Sequence, residues 1–149
     1  MKRLLKTDDS IILLILRLTL GIVMFPHGAQ KVVGWFGGEG FSATMSLFTE
    51  QMHVPAIIAF LVFMAEFLGS IGLIFGFLTR IAAFGILCNM LGAIFLVHLK
   101  FGFFMNWVGN KPGEGFEYHL LALAIAVAAL IGGGGKLSID RAIALELKR

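Results

Sequence analysis

The chain of 149 residues is too apolar for a soluble domain: 58% of its residues are hydrophobic, 14% are charged, and the mean hydropathy is +0.93. Soluble domains are about 45–50% apolar and about 25% charged, so this composition predicts a protein that crosses a membrane several times. The net charge of +3 lies mainly at the chain ends rather than in a Lys/Arg-rich block, which argues against nucleic-acid binding, and the single cysteine excludes an intrachain disulfide or a Cys-pair metal motif.

Four apolar stretches are long enough, or nearly so, to cross the hydrocarbon core of a bilayer, which takes about 20 residues. They are residues 11–33, 55–78, 81–99 and 116–131, the last being the shortest. The first follows a basic start, but it is longer than the apolar part of a signal peptide and lacks a convincing cleavage site, so we expect it to be retained. Only Thr79 and Arg80 separate the second stretch from the third, which predicts a tight antiparallel hairpin. The sequence therefore predicts an all-α fold, a single membrane domain over 1–149 built as a bundle of four transmembrane helices.

Basic residues predict the orientation of this bundle. Eight lie on the side that holds both termini and the short turn: Lys2, Arg3, Lys6, Arg80, Lys136, Arg141, Lys148 and Arg149. Three lie on the opposite side: Lys31, Lys100 and Lys111. Because cytoplasmic loops carry an excess of Lys and Arg, both termini are predicted to be cytoplasmic.

The two outer connections are rich in large apolar side chains. In the first, Phe41, Met45, Phe48 and Met52 follow the spacing of one helical face, which predicts a short amphipathic helix lying flat at the outer interface. The second, residues 101–116, is aromatic and glycine-rich, with Trp107 suited to an interfacial belt. These connections either cover a pocket or only anchor the bundle.

Ionisable side chains within the spans cost about 2.5–3.5 kcal/mol each at the bilayer centre, so each needs a partner or a function. Arg17, Met24, His27 and Lys31 share one broad face of the first span, which is expected to point into the bundle. Glu66 lies near the middle of the second span. The neighbouring depths of Arg17 and Glu66 predict a structural ion pair between them.

Polar side chains from three spans fall at one level in the outer half of the predicted bundle: His27, Lys31, His98, Glu117 and His119. They predict a pocket with Glu66 as its floor and Arg17 beneath. Asn89, on the third span, is expected to bridge two helices by a hydrogen bond.

The chemistry of this pocket suits a quinone or quinol. Histidine exchanges protons near neutral pH and a central carboxylate can relay them, so His27 and Glu66 are the candidate catalytic residues. A lysine or protonated histidine can donate a hydrogen bond to a quinone carbonyl. The candidate quinone-binding residues are Lys31, Met24, His98, Glu117 and His119. Other interpretations stay open: Lys31 as an anchor that snorkels to the headgroups, His98 and His119 as interfacial residues, and, as a lesser alternative, a haem held by two histidines.

Four segments carry a recognisable pattern: RLTLGIVMFPHGAQKVVGWFGG (residues 17–38), AEFLGSIGLIFGFLTRIAA (65–83), GEGFEYHLLAL (113–123) and GGGGKLSID (132–140). Together they resemble the DoxX family of small four-helix membrane proteins. The family takes its name from a quinol-oxidase-associated subunit, and its members are described as membrane oxidoreductases or quinone-linked subunits. The resemblance implies that His27, Lys31, Glu66 and Arg80 carry the family's motif.

Residues and resemblance together predict a quinone-interacting oxidoreductase, or a subunit of one, in a prokaryotic cytoplasmic membrane. Its expected partners are membrane lipids, a lipophilic molecule such as a quinone, and a redox subunit or a second copy of the chain, but no nucleic acid. One alternative is a non-catalytic membrane scaffold that docks other proteins. Another is a carrier of small solutes or protons, although four short helices offer little volume for alternating access.

Overall fold

The computed structural model describes residues 2–147 of the chain, with side chains from residue 4 onward. Among the basic residues that predict the orientation, Lys148 and Arg149 and the side chains of Lys2 and Arg3 lie outside the described residues. The described part contains seven α-helices: α1 (Lys2–Leu5), α2 (Ile11–Val33), α3 (Gly40–Ser46), α4 (Ala56–Phe75), α5 (Thr79–Ala93), α6 (Glu117–Gly132) and α7 (Ile139–Glu146). A π turn, Leu47–Gln51, continues α3, and a π turn followed by a 3-10 turn extends α5 to Phe101.

Three of these helices are long and apolar enough to cross a membrane: α2, α4, and α5 with its extension. The fourth apolar helix, α6, has 16 residues and is therefore only about 24 Å long. The predicted all-α membrane fold is confirmed.

The four long helices form a closed ring in the order α2, α4, α5, α6, with α6 packing back on α2. Neighbours run antiparallel, as the contacts between the ends of α5 and α6 show: the backbone N–H of Phe116 donates to Gly102 O at 3.2 Å. The main core lies inside this ring and is built from small and medium side chains: Leu20, Met24, Leu73, Ala82, Ala83, Ile86, Met90, Ala122, Ala126 and Ala129.

Two glycines set the register of α2 on α4. A Cβ placed on Gly28 would lie 2.6 Å from the backbone of Phe67, and one on Gly21 would lie 2.9 Å from Ser70 O. Such distances are too short for any side chain, so the two backbones touch directly, as small residues permit in membrane bundles. The helix α2 runs through Pro26 without interruption.

The hairpin between α4 and α5 differs in detail from the prediction. Its connection is Gly76, Phe77 and Leu78, while Thr79 and Arg80 are the first residues of α5. The physical reason is the buried carboxylate of Asp140, which accepts hydrogen bonds from the backbone N–H groups of Leu78 (2.7 Å) and Thr79 (2.8 Å). These are donors that a helix leaves unpaired at its start, so Asp140 fixes where α5 begins.

The amphipathic helix expected in the first long connection is present as α3 with its π turn. Its apolar side packs on Phe63 of α4: the rings of Phe41 and Phe48 contact the Phe63 ring edge-on, with centroids 5.6 and 5.3 Å away. Met45 and Met52 join the same cluster. The predicted stripe is therefore a packing face, and its placement at the membrane interface stays a prediction.

The bundle has two distinct ends. We call the end with α1, α7 and the α4–α5 connection the terminus end, and the end with residues 34–55 and 102–116 the loop end. Contacts between Arg80 and Lys6 and between Arg141 and Asp9 place basic residues together at the terminus end.

Candidate functional site

Arg17, on α2, is 1% exposed and is bound by backbone carbonyls at the terminus end. Its Nη1 donates to Leu73 O (2.8 Å) and Ile74 O (2.6 Å), which are among the last carbonyls of α4. Its Nε donates to Gly134 O at 2.6 Å, and its Nη2 donates to the carbonyls of Lys136 and Leu137 at 3.3 and 2.9 Å. A guanidinium has five N–H donors, so Arg17 is fully satisfied by the backbone.

Glu66 has different partners, and the predicted Arg17–Glu66 ion pair is wrong. Glu66 Oε2 lies 2.5 Å from Lys31 Nζ, and Glu66 Oε1 accepts a hydrogen bond of 2.6 Å from Asn89 Nδ2. The register of α2 explains the exchange, because Gly28 stands beside Glu66 while Arg17 stands beside Leu73. Seven residues of α4 separate these levels, about 10 Å at 1.5 Å per residue.

Glu66 therefore joins α2, α4 and α5 through one buried carboxylate. It is 5% exposed, and the bridge from Asn89 confirms the expected helix-to-helix hydrogen bond. Lys31 is partly exposed, and its Nζ also lies 3.4 Å from His27 O.

A cleft of about 1290 Å³ borders this cluster. Most of its wall comes from α4 and α5, including outward-facing apolar side chains such as Leu61 and Leu96, so it opens sideways between these two helices. Its polar lining side chains come from all four long helices and their connections: His27, Lys31, Glu66, Asn89, His98, Glu114, Tyr118 and His119. An apolar wall with a few convergent polar groups is the usual form of a small-molecule site.

A pair of histidines stands beside the cleft at the loop end. The rings of His98 and His119 have centroids 4.1 Å apart, and His98 Nδ1 lies 2.9 Å from Glu114 O. His119 is 6% exposed, and its Nδ1 has no hydrogen-bond partner within residues 2–147. No three His, Cys, Asp or Glu side chains of these residues gather closely enough to hold a metal ion.

The predicted pocket residues line the cleft with the exception of Glu117, and His27 differs from the prediction in its exposure. Glu117 does not line it; its Oε1 accepts hydrogen bonds from Met105 N (2.8 Å) and Trp107 Nε1 (3.0 Å) and so shapes the loop 102–116. His27 lines the cleft, but its side chain is exposed at the rim instead of buried in the bundle. Met24 is buried, and Tyr118 Oη lies 3.6 Å from its Sδ.

Two polar residues near these sites were not singled out from the sequence. Tyr118 lines the cleft, and the available signal was its place between Glu117 and His119 on a helix that starts at the pocket level. Asp140 caps α5 at the terminus end, and its signal was an acidic residue in the Gly-rich closing motif.

Comparison with known proteins gives one family and two relatives. The model of the DoxX family matches residues 12–99. The "Putative oxidoreductase CatD" of Bacillus subtilis (strain 168) is 32% identical over 127 residues, which are 85% of this chain and 83% of that protein. The "Inner membrane protein YqjF" of Escherichia coli (strain K12) is 29% identical over 136 residues, 91% of this chain and 95% of that protein. No solved structure matches the chain.

Proposed function

This chain belongs to the DoxX family, and we propose that it is a membrane oxidoreductase, or the membrane subunit of one, which binds a lipophilic quinone or quinol in the cleft between α4 and α5. One observation carries the proposal: the buried Glu66 and Asn89 and the partly exposed Lys31 stand together beside an apolar cleft that opens sideways between α4 and α5. The name of the Bacillus subtilis relative, a putative oxidoreductase, supports the reaction class.

The polar groups of the cleft fit a quinone ring. When bound, the ring supplies two-electron, two-proton redox chemistry. Lys31 and Asn89 carry N–H donors that can turn from Glu66 toward a ring oxygen, and the ammonium stabilises negative charge there. The buried His119 Nδ1, which has no partner in the described chain, is a further group that can meet a ring oxygen.

Glu66 and His27 are suited to proton exchange. The carboxylate of Glu66 can accept a proton from a ring hydroxyl, since Lys31 and Asn89 already hold it at the cleft. His27, at the exposed rim, can pass that proton onward near neutral pH. We expect a partner redox subunit to deliver or remove the electrons.

The test is co-purification in a mild detergent, followed by organic extraction and mass spectrometry of the lipophilic fraction. We expect a quinone in the wild-type protein and a reduced amount in His27→Phe and Lys31→Met. Lys100→Met is the matched control, because Lys100 is exposed at the same end of the bundle, next to the Phe101 ring and away from the cleft. Wild-type quinone content and turnover in both cleft variants would replace this proposal with the scaffold function.

The proposed location is a prokaryotic cytoplasmic membrane with both termini in the cytoplasm. The eight-to-three basic asymmetry supports the orientation, and the name of the Escherichia coli relative supports the membrane. A reporter fused after residue 149 should report cytoplasm, and one inserted between residues 109 and 115 should report the outer side. The reverse pattern would move the cleft to the other leaflet.

A further inference from the structure

The seam between α4 and α5 is tight at one level and open at another. At Gly85 an added Cβ would lie 3.0 Å from Ala65 Cβ, so the two helices touch there. At Gly92, about two turns further along α5, an added Cβ would meet nothing within 4 Å beyond its own helix backbone in the described part of the chain. The π turn Ile94–His98 follows directly and widens α5. The seam therefore has a gap beside Gly92, in the half of the bundle toward the loop end.

This gap leads to the buried polar cluster. Asn89, which donates to Glu66, lies one helical turn before Gly92 on α5, and both residues line the cleft. The rim next to the gap is apolar and outward-facing: Leu61 is 54% exposed and Leu96 is 65% exposed. Both helices are long and apolar enough to span a membrane, so we expect the medium outside this rim to be hydrocarbon.

We propose that the gap beside Gly92 is a lateral portal, through which the tail of a ring-headed lipid leaves the cleft while its ring stays at Glu66. This inference rests on the proposed function and narrows its ligand to a quinone with a long isoprenoid tail. The cleft, at about 1290 Å³, exceeds the roughly 300–1,000 Å³ of ordinary small-molecule sites. The extra space suits the first part of a tail.

The medium around the cleft and the side chains that line it indicate what kind of molecule fills it. An apolar cleft open to hydrocarbon has no polar partners for water over most of its length, so a chain fills it. Five methionines line the cleft, and their flexible thioether side chains adapt to a chain of variable shape: Met24, Met52, Met64, Met90 and Met105. The tail gains little free energy by leaving the bilayer, because lipid is as apolar as the cleft. The portal thus makes room for a long tail but does not raise the affinity for it.

The first experiment blocks the portal without disturbing the packing. Gly92→Phe places a ring in open space, and its matched control is Ala124→Phe, on the outward-facing side of α6 away from the cleft. The probes are two benzoquinones with the same head, one carrying a single isoprenoid unit and the other carrying eight. We expect the wild type and Ala124→Phe to bind both. Gly92→Phe should bind the long probe about tenfold more weakly, because the added ring and the tail would crowd the same space. It should bind the short probe with the affinity of the wild type.

The other results are informative as well. Unchanged binding of the long probe by Gly92→Phe, or an equal loss of both probes, would overturn the portal while leaving the quinone site in place. If the wild type binds neither probe, the proposed function fails and the quinone-tail portal fails with it. A second measurement, which needs no quinone, tests separately whether the gap beside Gly92 is open to lipid.

That measurement uses the single cysteine of the chain. Cys88 is exposed, lines the cleft and lies one turn from Gly92, so a nitroxide attached to it reports on the portal. In vesicles of phosphatidylethanolamine and phosphatidylglycerol, the label should be as accessible to dissolved oxygen as one at Ala124→Cys in a Cys88→Ser background. A shielded label at Cys88, or dipolar broadening by the label of a second copy, would show that protein covers the gap and would overturn the portal.

Discussion

Arg17 and Glu66 are both buried ionisable residues of a membrane bundle, but their surroundings differ. At the terminus end, the guanidinium of Arg17 is surrounded by five carbonyls, and Arg17 does not line the cleft between α4 and α5. Near the middle of the bundle, Glu66 is held by Lys31 and Asn89 and borders a cleft that opens sideways between α4 and α5.

The difference shows how one fold separates stability from binding. Arg17, Asp140 and Arg80 all bond to backbone groups at helix ends: Arg17 at the end of α4, Asp140 at the start of α5, and Arg80 at Leu130 O near the end of α6. Such bonds satisfy helix groups that have no partner within their own helix, and so they stabilise the fold. In the Glu66 cluster, Glu66 is bound by the side chains of Lys31 and Asn89, which can exchange it for a bound molecule.

The largest expected effect is at the terminus end. Arg17→Met removes five hydrogen bonds and leaves buried carbonyls unpaired, so it should lower the free energy of unfolding by at least about 3 kcal/mol. Arg17→Lys should recover only part of this loss, because an ammonium has three donors at one point instead of five in a fork. The measurement is unfolding in mixed micelles of dodecylmaltoside and SDS, followed by helical circular dichroism. The control is Ile15→Met, at a position that faces outward. If Arg17→Met lowered the free energy of unfolding as little as the control does, the five hydrogen bonds of Arg17 would not contribute to stability.

A smaller effect is expected for the carboxylate that starts α5. Asp140→Ala leaves the N–H groups of Leu78 and Thr79 without their cap and should cost about 1–2 kcal/mol in the same assay. Asp9→Ala is the matched control, because Asp9 is half-exposed in its pair with Arg141 and should contribute less than about 1 kcal/mol. Equal effects of the two changes would mean that the buried Asp140 cap contributes no more to the free energy of unfolding than an exposed ion pair does.

The smallest expected effect is a coupling free energy between two substitutions. It tests directly whether Glu66 interacts with Lys31 or with Arg17. Lys31→Met and Glu66→Gln, made singly and together, should show a coupling of about 1 kcal/mol or more, because the two side chains are in contact. Arg17→Met and Glu66→Gln should be additive to within about 0.5 kcal/mol, because they do not share a partner. A coupled Arg17–Glu66 pair with an additive Lys31–Glu66 pair would restore the pairing expected from the sequence.

Much of the fold could be predicted from local patterns. Apolar length predicts the helices, and α2 covers the predicted stretch 11–33 from end to end. The four-residue spacing of Phe41 and Met45 likewise predicts α3, since a helical period is a property of neighbouring residues. Small shifts remain at helix ends, as at Thr79, where a residue 61 positions away in the chain forms the cap.

The site was predicted less completely because it depends on contacts between distant segments. Residue types within spans are enough to select Lys31, Glu66, His98 and His119, since ionisable groups are rare in apolar helices. Residue type does not identify the partners of these side chains. Glu117 shares the depth of these residues, yet it bonds to the loop at Met105 and not to the cleft.

The sequence by itself determined that this chain crosses a membrane, how many apolar helices it has, and which buried groups need partners. Only the tertiary structure decided which residues are the partners of these groups. The reason is register: the direct contact of Gly21 and Gly28 with α4 sets Lys31, and not Arg17, beside Glu66. Depth in a membrane is known from sequence only to within a turn or two, whereas a hydrogen bond forms only within about 3 Å.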